Sequence, residues 1–224
     1  MTAVRGVQRI RIRLRREQKA RLLSQLEQVD LLRKTIKQLN WPVVLGTGKR
    51  HPMRVSFGPA ISVGHESEAE YCDVELAERV DLVKAKQELD SSLPEGYGCV
   101  WVKHVPLLFP SLEELLNTTL YRVDGLDPAV AMPLLSARLN APEFLVVRKT
   151  MTGDQVIDAK PLVKQLDAEG ASIRLVLRFG PKRTLKPERI LQTACQLDDE
   201  NVQVLRVCRA ALYMEKPDGT LVEP

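Results

Sequence analysis

The chain has 224 residues, 44% of them hydrophobic and 28% charged, an ordinary globular composition with length for one large domain or two small ones. No apolar run approaches the roughly 18 residues of a membrane span. The basic N-terminus lacks the apolar stretch of a secretory signal, so a cytoplasmic protein without membrane contact is expected. The net charge of +4 hides an asymmetry: residues 1–54 hold fourteen Lys/Arg against three acids, net +11, and the rest holds nineteen against twenty-six, net −7. A basic first quarter on a mildly acidic body points to a localised anionic partner, nucleic acid or another protein's acidic face.

Gln8 to Arg16 alternates arginine with branched apolar residues, the period of a half-buried strand. Ile10, Ile12 and Leu14 fall on one face and Arg9, Arg11, Arg13 and Arg15 on the other. Lys19 to Asn40 reads as a helix, with Leu22, Leu26, Val29, Leu32, Ile36 and Leu39 in one stripe. Trp41 to Leu45 is a short strand, Met53 to Phe57 continues or restarts it, and Gly58 to Ser67 is loop. Glu70 to Glu78 is a strand, Asp81 to Leu93 a helix stopped by Pro94-Glu95-Gly96, and Gly98 to Leu107 a strand. This βαββαβ order is the ferredoxin-like split βαβ unit.

The second half reads the same way. Leu120 to Val123 is a strand, Pro128 to Asn140 a helix, and Glu143 to Thr150 turns at Thr152-Gly153-Asp154 into Gln155 to Asp158. Lys160 to Ala168 is an extra piece read as a helical turn. Ser172 to Phe179 is a strand, Pro187 to Gln196 a helix and Val202 to Met214 a long final strand. The expected architecture is α+β: two tandem ferredoxin-like units with antiparallel sheets, residues 1–110 and 111–224. A single fused α+β domain is the alternative.

In such a sheet the helices cover the apolar face, so the four arginines should face outward. RNA-binding domains of this topology use that open face and stack bases on strand aromatics. Tyr71 is the one obvious ring there, so phosphate contact is better supplied than stacking. Asp73 and Glu75 on the neighbouring strand should lie across from the arginines and neutralise part of the row. Two basic loops are further candidates: Gly46-Thr47-Gly48-Lys49-Arg50-His51-Pro52 with Arg54 after it, and Gly180-Pro181-Lys182-Arg183-Thr184-Leu185-Lys186 before the helix at Pro187. Neither has the spacing of a phosphate-binding P-loop. Cys72, Cys99, Cys195 and Cys208 are scattered in apolar runs and read as buried inert thiols. His51, His65 and His104 have no ligand spacing, although His65 stands beside Glu66, Glu68 and Glu70. No metal site or cofactor is expected.

The stretch Arg54-Val55-Ser56-Phe57-Gly58-Pro59-Ala60, then Val63-Gly64-His65-Glu66-Ser67-Glu68-Ala69-Glu70-Tyr71-Cys72-Asp73-Val74-Glu75-Leu76, resembles a bacterial family of unknown function, the radical-SAM-linked proteins. Val156 to Val163 and Thr184 to Leu191 are similar to that family as well. The family's first helix usually carries Ser-His-Leu-Asp where this chain has Ser24-Gln25-Leu26-Glu27. Its loop usually reads Gly-Phe-x-Pro-x-Pro-Arg where this chain has Gly48-Lys49-Arg50-His51-Pro52-Met53-Arg54. Family-motif positions are therefore Ser24, Glu27, His51, Ser56, Glu66, Glu68 and Glu70. The resemblance implies a partner, a radical SAM protein encoded beside or fused to such chains. With no three-cysteine cluster, this chain is not itself such an enzyme.

The expected function is a non-catalytic, RNA-binding accessory that positions tRNA or rRNA for a radical SAM modification enzyme. Its phosphate contacts would be Arg9, Arg11, Arg13, Arg15, Lys49, Arg50, Arg54, Lys182, Arg183 and Lys186. The alternatives are a protein–protein adaptor docking on that enzyme without RNA, and an enzyme with an interdomain site around Ser24, Glu27, His51 and His65. The oligomeric state is left open.

Overall fold

The strict alternation in Gln8–Arg16 gives β1 with the bounds that the period predicts. The computed structural model describes residues 6–47, 51–150, 153–180 and 184–224. Their contacts divide the chain into unit 1, up to Leu116, and unit 2, Asn117–Glu223. The boundary falls after a short helix that Pro110-Ser111 would have assigned to the second half. The chain is mixed α+β, and its described strand pairs are antiparallel.

In unit 1, β1 lies between β3 (Glu66–Leu76) and β4 (Tyr97–Val105), and β2 (Val55–Phe57) pairs with β3. The order is β4-β1-β3-β2. Ile10, Ile12 and Leu14 share one core with Leu32 and Ile36 of α1 (Gln25–Gln38) and with Ala85 and Leu89 of α2 (Leu82–Ser92). The helix expected over 19–40 is two pieces, a 3-10 turn at Gln18–Leu22 and then α1. Ser24 starts the second piece with a capping box: its hydroxyl accepts from the Glu27 N–H, and the Glu27 carboxylate accepts from the Ser24 N–H. The restart turns Leu22 and Leu26 to solvent, and Gln28, Leu32, Thr35 and Ile36 are buried instead. Trp41–Leu45 makes only isolated bridges, Val43 to Leu76 and Leu45 to Met53. Helix α3 (Leu112–Leu115) ends the unit under a second capping box, Ser111 with Glu114.

Unit 2 comprises β5 (Thr118–Asp124), α4 (Pro128–Asn140), a hairpin of β6 (Leu145–Thr150) and β7 (Gly153–Asp158), β8 (Val163–Glu169), β9 (Ser172–Arg178), α5 (Pro187–Cys195), α6 (Asp199–Gln203), β10 (Arg206–Glu215) and β11 (Leu221–Val222). The main order is β10-β5-β9-β8, and β11 pairs with β10. The segment read as a helical turn is β8. Glu169 faces Ser172 across a two-residue turn, and Gly170 there has φ +59°, a conformation that glycine adopts without a Cβ clash. The β6–β7 hairpin forms a separate two-stranded sheet. The expected final strand begins as α6 before β10. The core joins Ile173, Leu175 and Leu177 of β9 to Leu135 of α4 and Ile190 and Leu191 of α5.

The cysteines divide evenly. Cys72 and Cys99 lie in the core of unit 1, Cys208 is buried in unit 2, and Cys195 is half-buried rather than buried. Burial pushes the Cys72 thiol far up and the Cys99 thiol to about 11.

Candidate functional site

The register of β1 decides what the arginines meet. Arg9 lies opposite Glu75 and Val105, Arg11 opposite Asp73 and Lys103, and Arg13 opposite Tyr71 and Trp101. Asp73 takes both of the first two arginines. Arg11 donates to its two oxygens from Nε (2.7 Å) and Nη2 (2.8 Å), and Arg9 donates to Oδ2 from Nε (3.1 Å) and Nη2. Glu75, directly opposite Arg9, pairs with Arg54 instead (3.0 Å).

The segment after β4 closes over this cluster. Arg9 donates to the carbonyls of Phe109 and Pro110, and the Arg11 guanidinium sits 5.7 Å from the Phe109 ring centroid. Arg9 is therefore 7% exposed and Arg11 0%. This corrects the expected open row: half of it is a buried ion cluster. Two guanidinium groups on one carboxylate leave one positive charge uncompensated inside that cluster. Arg11 Nη1 is buried there without a hydrogen-bond partner among the described residues.

The other end of the row is different. Arg13 donates to the Glu68 carbonyl (2.7 Å) and its guanidinium lies 6.0 Å from the Tyr71 ring centroid. Tyr71 is 5.8 Å from Trp101, centroid to centroid, and the Lys103 ammonium lies 4.2 Å from the Trp101 ring centroid. Trp101 is half-buried and Lys103 exposed. Arg15 is the most open of the four, with a side chain 58% exposed and 3.7 Å from Glu17. Arg16 continues the parity of Ile10, Ile12 and Leu14 onto the helical side, where it is buried and bonds Gln28 and the carbonyls of Arg21 and Leu23. The sequence reading missed Trp101 and Lys103. Their signal was the parity of β4, which puts alternate residues on the arginine face of an antiparallel neighbour.

A family model described as an uncharacterized protein conserved in bacteria (DUF2344) matches residues 9–187. The chain belongs to the DUF2344 family. The match runs from β1 into the first residue of α5. No curated protein matches the sequence.

The motif positions of this DUF2344 chain are mostly structural. Ser24 and Glu27 form the cap of α1, where the Ser24 hydroxyl and then its N–H hold the Glu27 carboxyl below its usual range. Either Asp or Glu serves at that position of a capping box, so the departure from Ser-His-Leu-Asp keeps the helix start. Glu70 is buried and accepts from Gln28, whose carbonyl oxygen accepts from Arg16 and from Tyr97. Burial pushes the Tyr97 hydroxyl up to about 12. Glu68 supplies the carbonyl that positions Arg13, Ser56 is exposed opposite Asp73 on β2, and Glu66 is half-buried. His65 is buried, whereas His51 is exposed with φ +40° and has Nδ1 3.1 Å from the Gly46 carbonyl oxygen. With Ser24 and Glu27 committed to a cap, the proposed catalytic grouping with His51 and His65 loses two members. Among the described residues no three His, Cys, Asp or Glu side chains converge as metal ligands do. Lys49, Arg50, Lys182 and Arg183 lie outside the described residues. Lys186 is exposed at the N-cap of α5, 3.9 Å from Glu188.

Proposed function

We propose that this DUF2344 chain is a non-catalytic, cytoplasmic accessory protein of two ferredoxin-like units that binds RNA and positions it for a radical SAM modification enzyme. The strand orders β4-β1-β3-β2 and β10-β5-β9-β8 support the tandem reading. The observation that carries the RNA reading is the patch of Trp101 under Lys103, beside Tyr71 and Arg13, on one sheet face. A ring with adjacent cations binds a single strand by stacking one base and holding its phosphates. Arg15 extends the patch, while Arg9 and Arg11 hold the strand that carries it. The radical SAM partner rests on the resemblance of residues 54–76 and follows from no contact in the fold.

The test is a salt series of binding to single-stranded RNA, read by Trp101 fluorescence in a Trp41→Phe background. A stacked base quenches the indole, and affinity falls steeply with salt. Trp101→Ala, followed by filter binding because the variant lacks the reporter, should weaken binding by about tenfold or more, as stacking contributes about 1–3 kcal/mol per base. Absence of salt-sensitive binding in the parent protein would discard the RNA reading. An adaptor without RNA contact is the second reading, and the exposed run Leu107-Leu108-Phe109 favours it, with Leu108 95% exposed. Capture of a radical SAM protein that survives ribonuclease and is lost in Leu108→Asp would select the adaptor.

A further inference from the structure

Unit 2 holds a cavity of about 720 Å³, within the roughly 300–1,000 Å³ of small-ligand sites. It is lined by Ile157, Leu162, Phe179 and Gly180 and by three charged groups, Arg178, Glu215 and Asp158. All three are held rigidly. Arg178 donates from Nε and Nη2 to the two oxygens of Glu215 (2.7 and 2.9 Å) and from Nη1 to the Pro161 carbonyl (3.1 Å). Glu215 is itself fixed by Lys164 Nζ (2.7 Å). A guanidinium has five N–H groups, so two of them have no protein acceptor among the described residues. The Arg178 side chain is 42% exposed. Asp158 Oδ1 accepts from the N–H groups of Phe144 and Lys160, both at 3.1 Å, which fixes the carboxylate at the end of β7. Its Oδ2 has no protein donor among the described residues.

Donors and an acceptor held by the fold beside Phe179 suit a planar ligand that offers both acceptors and donors. An anion alone would meet Arg178 already paired to Glu215 and be repelled by Asp158, and an amine alone would leave the remaining Arg178 N–H groups without an acceptor. Among nucleobases, guanine offers adjacent O6 and N7 acceptors, the pair that a guanidinium reads, together with N1–H and 2-amino donors for a carboxylate. We propose that this cavity is a guanine-binding pocket, filled by a free nucleotide or by an unpaired guanosine of RNA. It draws on no residue of the Trp101 patch, so either site can fail without the other.

Calorimetric titration of the full chain tests it, with guanosine, inosine and adenosine monophosphates, inorganic phosphate, and a single-stranded oligonucleotide carrying one guanosine. Guanosine monophosphate should bind saturably and at least about fivefold more tightly than the inosine form, which lacks the 2-amino donor. Asp158→Asn keeps an acceptor for the two backbone N–H groups but presents a donor to the base, so the guanosine–inosine preference should vanish. Gly180→Trp should abolish binding without unfolding, because a Cβ at Gly180 meets nothing within 4 Å among the described residues. Trp101→Ala should leave it unchanged. Binding of the oligonucleotide alone supports the pocket with RNA as the source, and binding of the mononucleotide supports it with a free nucleotide. No saturable binding of either, equal binding of the adenosine form or phosphate, or binding that survives Gly180→Trp would each overturn the assignment.

Discussion

Asp73 in unit 1 and Glu215 in unit 2 hold the same set of charges, one carboxylate between two cations, in different surroundings. Asp73 binds Arg9 and Arg11, and all three side chains are nearly inaccessible. Glu215 binds Arg178 and Lys164, and Arg178 stays open to a cavity. The burial comes from the chain after β4: the Phe109 and Pro110 carbonyls and the Phe109 ring occupy the outer side of the arginines. No comparable segment covers Arg178 among the described residues lining its cavity. Identical charges thus become a structural clamp where a strand exit crosses them, and a fixed recognition group where it does not.

The largest expected effect follows from the buried case. Asp73→Asn leaves two arginines without a counter-charge and should cost about 3–5 kcal/mol in a urea melt. A loss below about 1 kcal/mol would mean that water reaches the cluster, and the contrast between the units would collapse. Glu215→Gln should cost less, about 1–3 kcal/mol, the range for hydrogen bonds to charged groups. The Arg178 hydrogen bonds, with Lys164 behind them, hold the Glu215 carboxyl down at about 2. A depressed carboxyl contributes stability above its unfolded value of about 4.3, and that contribution is lost as the pH falls toward 2. The stability gap between parent and Glu215→Gln should therefore be constant from pH 7 to 5 and close between about pH 4 and 2. The smallest effect belongs to Arg15→Gln, which touches neither triad. Stability should stay within about 0.5 kcal/mol, while the salt slope of RNA binding should fall by about one.

Much of this arrangement is written locally, and part is not. The arginine alternation fixes β1 and its inner face, and the parity of β3 places Asp73 across from Arg11. What hides Arg9 and Arg11 is Pro106 to Pro110, a loop without periodicity, so no pattern in β1 announces its cover. Ser24-Gln25-Leu26-Glu27 carries a readable helix-start signature, yet the leucine stripe running through it suggested one unbroken helix. Lys160 to Ala168 failed because Leu162, Val163 and Leu166 have helical spacing, while the decisive feature is the turn at Gly170-Ala171 that pairs β8 with β9. The pocket in unit 2 joins side chains from β7, β9 and β10, a convergence made by pairing between segments distant in sequence.

The even division of cysteines, two per unit, gives the chain its own stopwatch. A thiol whose ionisation is suppressed by burial reacts with an alkylating reagent only while its surroundings are open. Added mass on Cys72 and Cys99 would then time the opening of unit 1, and mass on Cys208 that of unit 2, with half-buried Cys195 modified first. Peptide mass spectrometry of one labelling series would show whether the two units open together or separately, in native protein and without an introduced probe.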